Sequence, residues 1–270
     1  KIGAEVVERK AYDDEFEDFQ GKVRSEITLT PQQSKAAKEI IADLKNKQFG
    51  VRLLLGVTGS GKTEVYLEAM KQVLEKGGGV LFLVPEVSLA PQTVSRIRHY
   101  FSESGEEVVV WHSHLSAGER LDAWRNLSSG KARIAVGARS AVFAPIHNLR
   151  LIVVDEEHES AYKQEDSPRY HGRDVAVYRS MLNQATCVLG SATPSMETLR
   201  NVEKNKYLES RLESRIDGRE LPLVHIVDMR REAQRERTPP IISQPLVESL
   251  RQRYADQEQS ILFLNRRGFN

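Results

Sequence analysis

Gly56-Val57-Thr58-Gly59-Ser60-Gly61-Lys62-Thr63 satisfies the pattern G-x-x-x-x-G-K-[ST] and stands between an apolar run, VRLLLG (51 to 56), and an amphipathic stretch, TEVYLEAMKQVLEK (63 to 76). A strand before and a helix after are what this motif requires. Glycines at 56, 59 and 61 let the backbone curl so that its N–H groups and the helix amino terminus face a polyphosphate. Lys62 then reaches the β and γ phosphates, and Thr63 can ligate Mg2+. An ordinary Gly-rich strand-to-helix turn would explain the glycines and not the Lys-Thr pair.

Outward from the loop, further apolar runs recur: VLFLVP (80 to 85), EVVVWH (107 to 112), RIAVGA (133 to 138), LRLIVVDE (149 to 156) and TCVLGS (186 to 191). Between them lie stretches such as APQTVSRIRHYF with apolar residues at helical spacing. Strand-helix alternation of this kind predicts an α/β fold with a parallel sheet covered on both faces. Ligands of such sheets sit at the carboxyl ends of the strands. There Asp155-Glu156-Glu157-His158 follows LRLIVV as a second acidic element would: Asp155 to hold Mg2+ through water, Glu156 to orient or deprotonate the attacking water. Taken alone these acids suit a solvated helix start, and it is the pairing with Lys62 and Thr63 that favours chemistry. Gly190-Ser191-Ala192-Thr193-Pro194 offers two hydroxyls, on Ser191 and Thr193, where a γ-phosphate sensor could sit. A turn capping the helix from Ser195 explains the same run.

The composition is compatible with this. The 270 residues carry 39 Lys+Arg against 38 Asp+Glu, 40% hydrophobic and 29% charged, which excludes a membrane protein, a disordered tail and a uniformly basic nucleic-acid coat. A local basic groove survives in a neutral total. The single cysteine, Cys187, rules out intramolecular disulfides and reads as a small core residue. His112 and His114 lack a nearby third ligand and read as a polar strand end, and Trp111 and Trp124 as packing. No apolar run approaches a membrane span and the amino end has no secretory or transit pattern, so a cytoplasmic protein is expected.

Four segments follow. Residues 1–28, with acids from Asp13 to Asp18 among Tyr12, Phe16 and Phe19, read as a connecting segment; 29–205 as the nucleotide-binding lobe; 206–240, charge-rich around a strand-like LVHIVDM, as a linker; and 241–270, with a helix over SQPLVESLRQRYADQ and a strand at ILFLN, as the opening of a second lobe. The chain begins at Lys1 without Met and stops at Asn270 just after that strand, so a piece of a longer protein is expected.

The order GSGKT, DEEH, SAT resembles superfamily 2 helicases, and longer strings narrow the resemblance to the PriA family of primosomal replication-restart helicases: GVTGSGKTEVYL (56 to 67), LVPEVSLAPQ (83 to 92), HSHLSAGER (112 to 120), VGARSAVFAP (136 to 145), DEEHESAYKQEDSPRYHGRDVAVYR (155 to 179), GSATPSMETL (190 to 199) and ILFLNRRGF (261 to 269). It spans about Leu29 to Asn270; less securely, GAEVVERKAYDDEF resembles the exit from the family's winged-helix domain. The resemblance implies a RecA-like lobe followed by the start of a second, with ATP and Mg2+ bound between lobes and movement 3′ to 5′ along single-stranded DNA at stalled forks. Implied partners are single-stranded and forked DNA, single-strand-binding protein, and primosome and replicative-helicase loader proteins, with no membrane.

It further implies that Gln33 contacts adenine, and that Tyr162, Lys163, Gln164, Arg169, Tyr170 and His171 form an aromatic-rich loop coupling DNA to hydrolysis. By the same resemblance Arg139 and Ser140 touch the DNA backbone, and Arg266 and Arg267 open motif IV. A polar surface Gln33 and a solvated loop with one buried Tyr are the plainer alternatives. Ala90 and Ala138 stand where the family usually has Thr, which removes two hydroxyls expected near phosphates. The family's Zn2+ is expected in the full-length protein, its ligands beyond this chain. A rival reading is a DNA-structure-binding loader scaffold with dispensable turnover, against which Lys62, Thr63, Asp155 and Glu156 stand intact; another superfamily 2 translocase would lack the YKQ and RYH string.

Overall fold

The computed structural model describes residues 28–46, 48–85, 91–112, 115–216, 223–233 and 241–263. The connecting segment up to residue 27, Ala90, His114, Arg266 and Arg267 lie outside the described residues. The chain divides into two units, Lys1–Arg219 and Glu220–Asn270.

In the first unit, helix α1 (Pro31–Lys45) is opened by a capping box in which Thr30 and Gln33 satisfy each other's backbone N–H. It leads to β1 (Gly50–Gly56), α2 (Lys62–Glu75), β2 (Gly79–Leu83), α3 (Pro91–Ser102), β3 (Val108–Trp111), α4 (Ala117–Ser129) and β4 (Ile134–Gly137). A 3₁₀ turn, Arg139–Phe143, precedes β5 (Leu149–Val154). A short hairpin, β6 (Lys163–Gln164) and β7 (Tyr170–His171), then runs into α5 (Gly172–Asn183), β8 (Thr186–Ser191), α6 (Met196–Glu203) and β9 (Leu208–Leu212). Seven strands form one sheet, β3-β4-β2-β5-β8-β1-β9, with every pairing parallel.

The apolar runs form strands because both faces are covered. Val80 and Phe82 meet Val65, Met70 and Ile97 of α2 and α3 on one side. Leu81 and Leu83 meet Leu127 and Ala176 of α4 and α5 on the other. Cys187 lies in this second layer, where burial pushes its thiol up to about 12, as a core residue rather than a nucleophile. The sheet order places the carboxyl ends of β5, β8 and β1 side by side. The register, Leu55 opposite Ser191 and Val154 opposite Leu189, brings the three sequence motifs to one edge.

Two expectations change. β9 falls in the stretch read as a linker: it alternates exposed Arg211 with buried Ser210 and Leu212, and as an edge strand buried on one side it carries none of the continuous apolarity that marked the others. It is held by Arg52, whose guanidinium grips Asp43 of α1 at 2.6 and 3.0 Å and reaches Ser210 Oγ at 3.1 Å. In the second unit, LVHIVDM and Ile261–Phe263 form no strand, because a strand needs a neighbour for its N–H and C=O groups and none stands among the described residues there. That unit shows α7 (Met229–Ala233) and α8 (Gln244–Ala255), the latter capped by Ser243.

Arg52→Ala would leave the Asp43 carboxylate, itself mostly buried, without its partner. We expect a loss of about 2 kcal/mol of stability in denaturant unfolding, with the backbone amides of β9 losing hydrogen-exchange protection before those of β5.

Candidate nucleotide site and the adjoining hairpin

The phosphate loop joins β1 to α2. Gly59 and Gly61 take φ of 80° and 78°, left-handed values that glycine reaches without strain. Gly61 has a second reason to lack a side chain, since a Cβ there would stand 2.2 Å from Gln33 Nε2. Lys62 opens α2, its side chain 9% exposed, with Nζ 3.2 Å from Gly56 O and 3.2 Å from Glu156 Oε1. Thr63 sits half-buried in the first turn.

Asp155 and Glu156 follow β5. Tyr66, one turn beyond Lys62 on α2, donates its hydroxyl to Asp155 Oδ1 at 3.1 Å. A Cβ on residue 190 would lie 1.5 Å from that hydroxyl, so Gly190 is what allows Tyr66 to reach the acid. Burial and then the neighbouring Glu156 charge raise Asp155 to about 6, while Lys62 and the Tyr66 hydrogen bond pull it back. Glu156 adopts φ 45°, a left-handed conformation that costs a non-glycine residue about 1 kcal/mol and turns its carboxylate toward Lys62.

His158 joins the acidic turn to the run after β8. Its Nδ1 shares a hydrogen bond with Ser191 Oγ at 2.7 Å and its Nε2 one with Thr193 Oγ1 at 3.3 Å. Thr193 N donates to Ser191 Oγ at 3.0 Å. Beneath them Glu157, 0% exposed, accepts from Arg173 Nη1 at 3.0 Å, Ser195 N at 2.7 Å, Ser195 Oγ at 3.0 Å and Thr198 Oγ1 at 3.0 Å.

The structure thus gathers Lys62, Asp155, Glu156, Ser191 and Thr193 at one edge of the sheet. Gln33 joins them in an unexpected posture. Its Nε2 donates to Ser60 O at 2.9 Å and its Oε1 accepts from Thr30 N at 2.8 Å, so both ends of the amide brace the loop. The residues present fit a Mg2+-bound polyphosphate: the Ser60 hydroxyl is buried with no hydrogen-bond partner, and the ammonium of Lys62 rests on a carboxylate, an oxygen anion of the kind a phosphate would supply.

The DNA-contact expectations separate. Tyr162 is 0% exposed and donates its hydroxyl to Asp155 O at 2.7 Å, so it cannot stack on a base from this position. The plainer alternative, a loop with one buried Tyr, describes this residue, which faces inward from its 3₁₀ turn, Ser160–Tyr162. Arg139 is turned inward too, its Nη1 donating to Lys163 O at 2.6 Å and Ala161 O at 3.4 Å, which fixes the root of the hairpin. Ser140, Lys163 and Arg169 are exposed; Tyr170 and His171 are half-buried. Burial, then the Arg173 charge, holds the His171 imidazole below its usual value, so at neutral pH it offers polarity without charge.

Sequence reasoning did not single out Tyr66, Arg173 or Thr198, whose types and spacing are those of any amphipathic helix. It also passed over Phe143, 59% exposed and edge-on to Tyr170 with ring centres 5.2 Å apart. The available signal was an aromatic in the turn that follows the apolar run RIAVGA.

Residues 30–202 match the DEAD/DEAH box helicase family. The chain is 44% identical to a replication restart protein PriA of Bacillus subtilis (strain 168), over 97% of this chain and 32% of that protein. A replication restart protein PriA of Synechocystis sp. (strain ATCC 27184 / PCC 6803 / Kazusa) is 46% identical over 89% of this chain and 29% of its own length. The chain spans about a third of the length of these relatives. Among solved structures, RecG bound to a three-way DNA junction is 25% identical with a TM-score of 0.53, over 70% of this chain and 24% of that one. The helicase MrfA superposes with a TM-score of 0.55 over 89% of this chain and 36% of its own at 18% identity, a likeness of fold.

A folded-state value near 6 for Asp155 lies above that of an unfolded aspartate, so at neutral pH the ionised form opposes folding, and in metal-free buffer that cost is relieved as pH falls from about 6 towards 4. Asp155→Asn should therefore stabilise the metal-free protein at pH 7.5 by about 1 kcal/mol and raise its melting temperature by a few degrees, with the gain gone near pH 4. Scanning calorimetry across that range checks both the sign and the window.

Proposed function

The chain belongs to the DEAD/DEAH box helicase family, and from that footing we propose that it is the nucleotide-binding lobe, with the opening of a second lobe, of an ATP-dependent DNA helicase of the PriA type that acts in the restart of stalled replication forks. The observation that carries this is the convergence of Lys62, Asp155, Glu156, Ser191 and Thr193 at the ends of three adjacent strands, joined by His158. Identity of 44% to a replication restart protein supports the finer assignment. Movement 3′ to 5′ along single-stranded DNA, forked DNA as substrate, and recruitment of single-strand-binding protein and helicase-loader proteins belong to the same proposal.

Mg2+, when bound, would supply positive charge to the phosphate oxygens. Thr63 and Asp155 are the side chains that would hold it, a small donor set of the kind Mg2+ accepts when phosphates and water complete its shell. Lys62 and the first amides of α2 bind the phosphates. At rest Lys62 is engaged by Glu156. A polyphosphate competes for that ammonium, and as Lys62 turns to it the Glu156 carboxylate is released to accept a proton from water. Thr193 and Ser191, tied through His158 to the acidic turn, report the state of the γ position to the run that leads into α6. On the hairpin, Lys163 and Arg169 supply cations for phosphates, and Tyr170 with Phe143 supplies aromatic surface for bases.

Two substitutions separate these roles in the protein at its natural length. Lys62→Ala should abolish nucleotide binding and turnover together, whereas Glu156→Gln should keep ATP binding and lower kcat by about a hundredfold or more. Equilibrium binding beside DNA-stimulated phosphate release checks the split, and normal turnover by Glu156→Gln would remove it from the chemistry.

A further inference from the structure

Past Leu212 the chain turns back over the phosphate loop. Val57 N donates to Leu212 O at 3.3 Å and Ile216 N to Gly59 O at 3.0 Å. Gln32, on the first turn of α1, accepts at its Oε1 from Glu213 N at 3.0 Å and Ser214 N at 3.4 Å. The segment 213–216 is thus a strap fastened at one side to α1 and at the other to the loop itself. The Arg215 side chain lies along Gly59, its Nε 3.3 Å from where a Cβ would stand.

Ile216 is the unusual member. Its Cδ1 lies 2.6 Å from the Cβ position of Gly61, where the Gln33 amide also converges. The side chain nevertheless remains 55% exposed, an apolar surface offered to solvent beside the amino end of α2. A polyphosphate held by Lys62 and the loop–helix amides leaves its nucleoside at that end, because the α and β phosphates rest on the junction. A nucleobase presents flat apolar faces and polar edges, and its binding sites are mostly apolar with a few placed polar groups. Ile216 beside the amides of Gln32 and Gln33 has that composition.

We propose that the strap Glu213–Ile216 is the nucleoside wall of the phosphate-loop site, with Ile216 as the platform on which the base of the bound nucleoside triphosphate rests and Gln32 as the residue that positions the strap. This rests on the reading of the loop as an ATP site and names the part that selects a nucleotide over a bare polyphosphate.

The test compares ATP with inorganic tripolyphosphate, each with Mg2+, by equilibrium titration of the full-length protein. Ile216→Ala should weaken ATP about fivefold, the effect of removing most of a branched side chain from a half-covered contact, and leave tripolyphosphate unchanged. Ile216→Leu should bind both as the wild type does. Equal ATP affinity in the alanine variant, or an equal loss for both ligands, would overturn the proposal, the second outcome making the strap a brace of the loop. Lys62→Ala serves as the control on the underlying reading and should weaken both ligands. Failure of the wild-type protein to bind either would overturn the ATP site and the platform together.

Discussion

A carboxylate with no exposed surface, that of Glu157, fixes the geometry of everything at the carboxyl edge of the sheet. An ionised acid in such a place is tolerated only if its charge is matched and its lone pairs are filled. Arg173 matches the charge, and the Ser195 amide, the Ser195 hydroxyl and the Thr198 hydroxyl fill the lone pairs. The backbone of Glu157 adds a further tie, its N–H donating to Gly190 O at 3.0 Å. Three stretches distant in sequence, the turn after β5 and the first turns of α5 and α6, are thereby held in one arrangement. Asp155 and Glu156 precede that anchor directly, and Ser191 and Thr193 lead into the helix it holds, so their mutual spacing follows from it.

Tyr66 places a second constraint on the same turn. Its ring is buried against Phe82, edge-on with centres 5.6 Å apart, and its hydroxyl fills the space that a side chain at position 190 would need. Helix α2 therefore brings two groups to the acidic pair, the Lys62 ammonium to Glu156 and the Tyr66 hydroxyl to Asp155. Carboxylates this close in a poorly solvated place repel each other, and the raised value of Asp155 registers that repulsion together with its burial. Lys62 offsets part of that repulsion, through its contact with Glu156.

The central strands were legible because burial on both faces leaves an uninterrupted apolar run, and the phosphate loop because glycine and lysine at fixed spacing have a single economical explanation. β9 was not legible. It sits at the sheet edge, and its five residues, LESRL, with one glutamate and one arginine among them, resemble charged linker. Among the site residues, Lys62, Asp155, Glu156, Ser191 and Thr193 stand where strand ends put them, since period and order alone determine those positions. Gln33 and Tyr162 were placed by resemblance; in the structure Gln33 braces Ser60, and the ring of Tyr162 lies in the core. Which way a polar aromatic faces depends on the turn that carries it, and a 3₁₀ turn of three residues leaves no periodic trace.

The position of Tyr162 also determines what kind of movement the hairpin can make. Lys163 follows it directly, so the first strand of the hairpin starts at a residue whose hydroxyl is bonded to the backbone of Asp155. On the other side Arg139 holds the Lys163 carbonyl, and Gly172, where α5 begins, packs so closely on Arg139 and Tyr162 that a Cβ would meet them at 3.2 and 3.4 Å. Sliding the hairpin along its own axis would expose a fully buried ring and break the hydrogen bond its hydroxyl makes to Asp155 O, a cost of several kcal/mol. Arg173 lies one residue into α5 and holds Glu157, so the second strand of the hairpin runs directly into the helix that anchors the acidic turn.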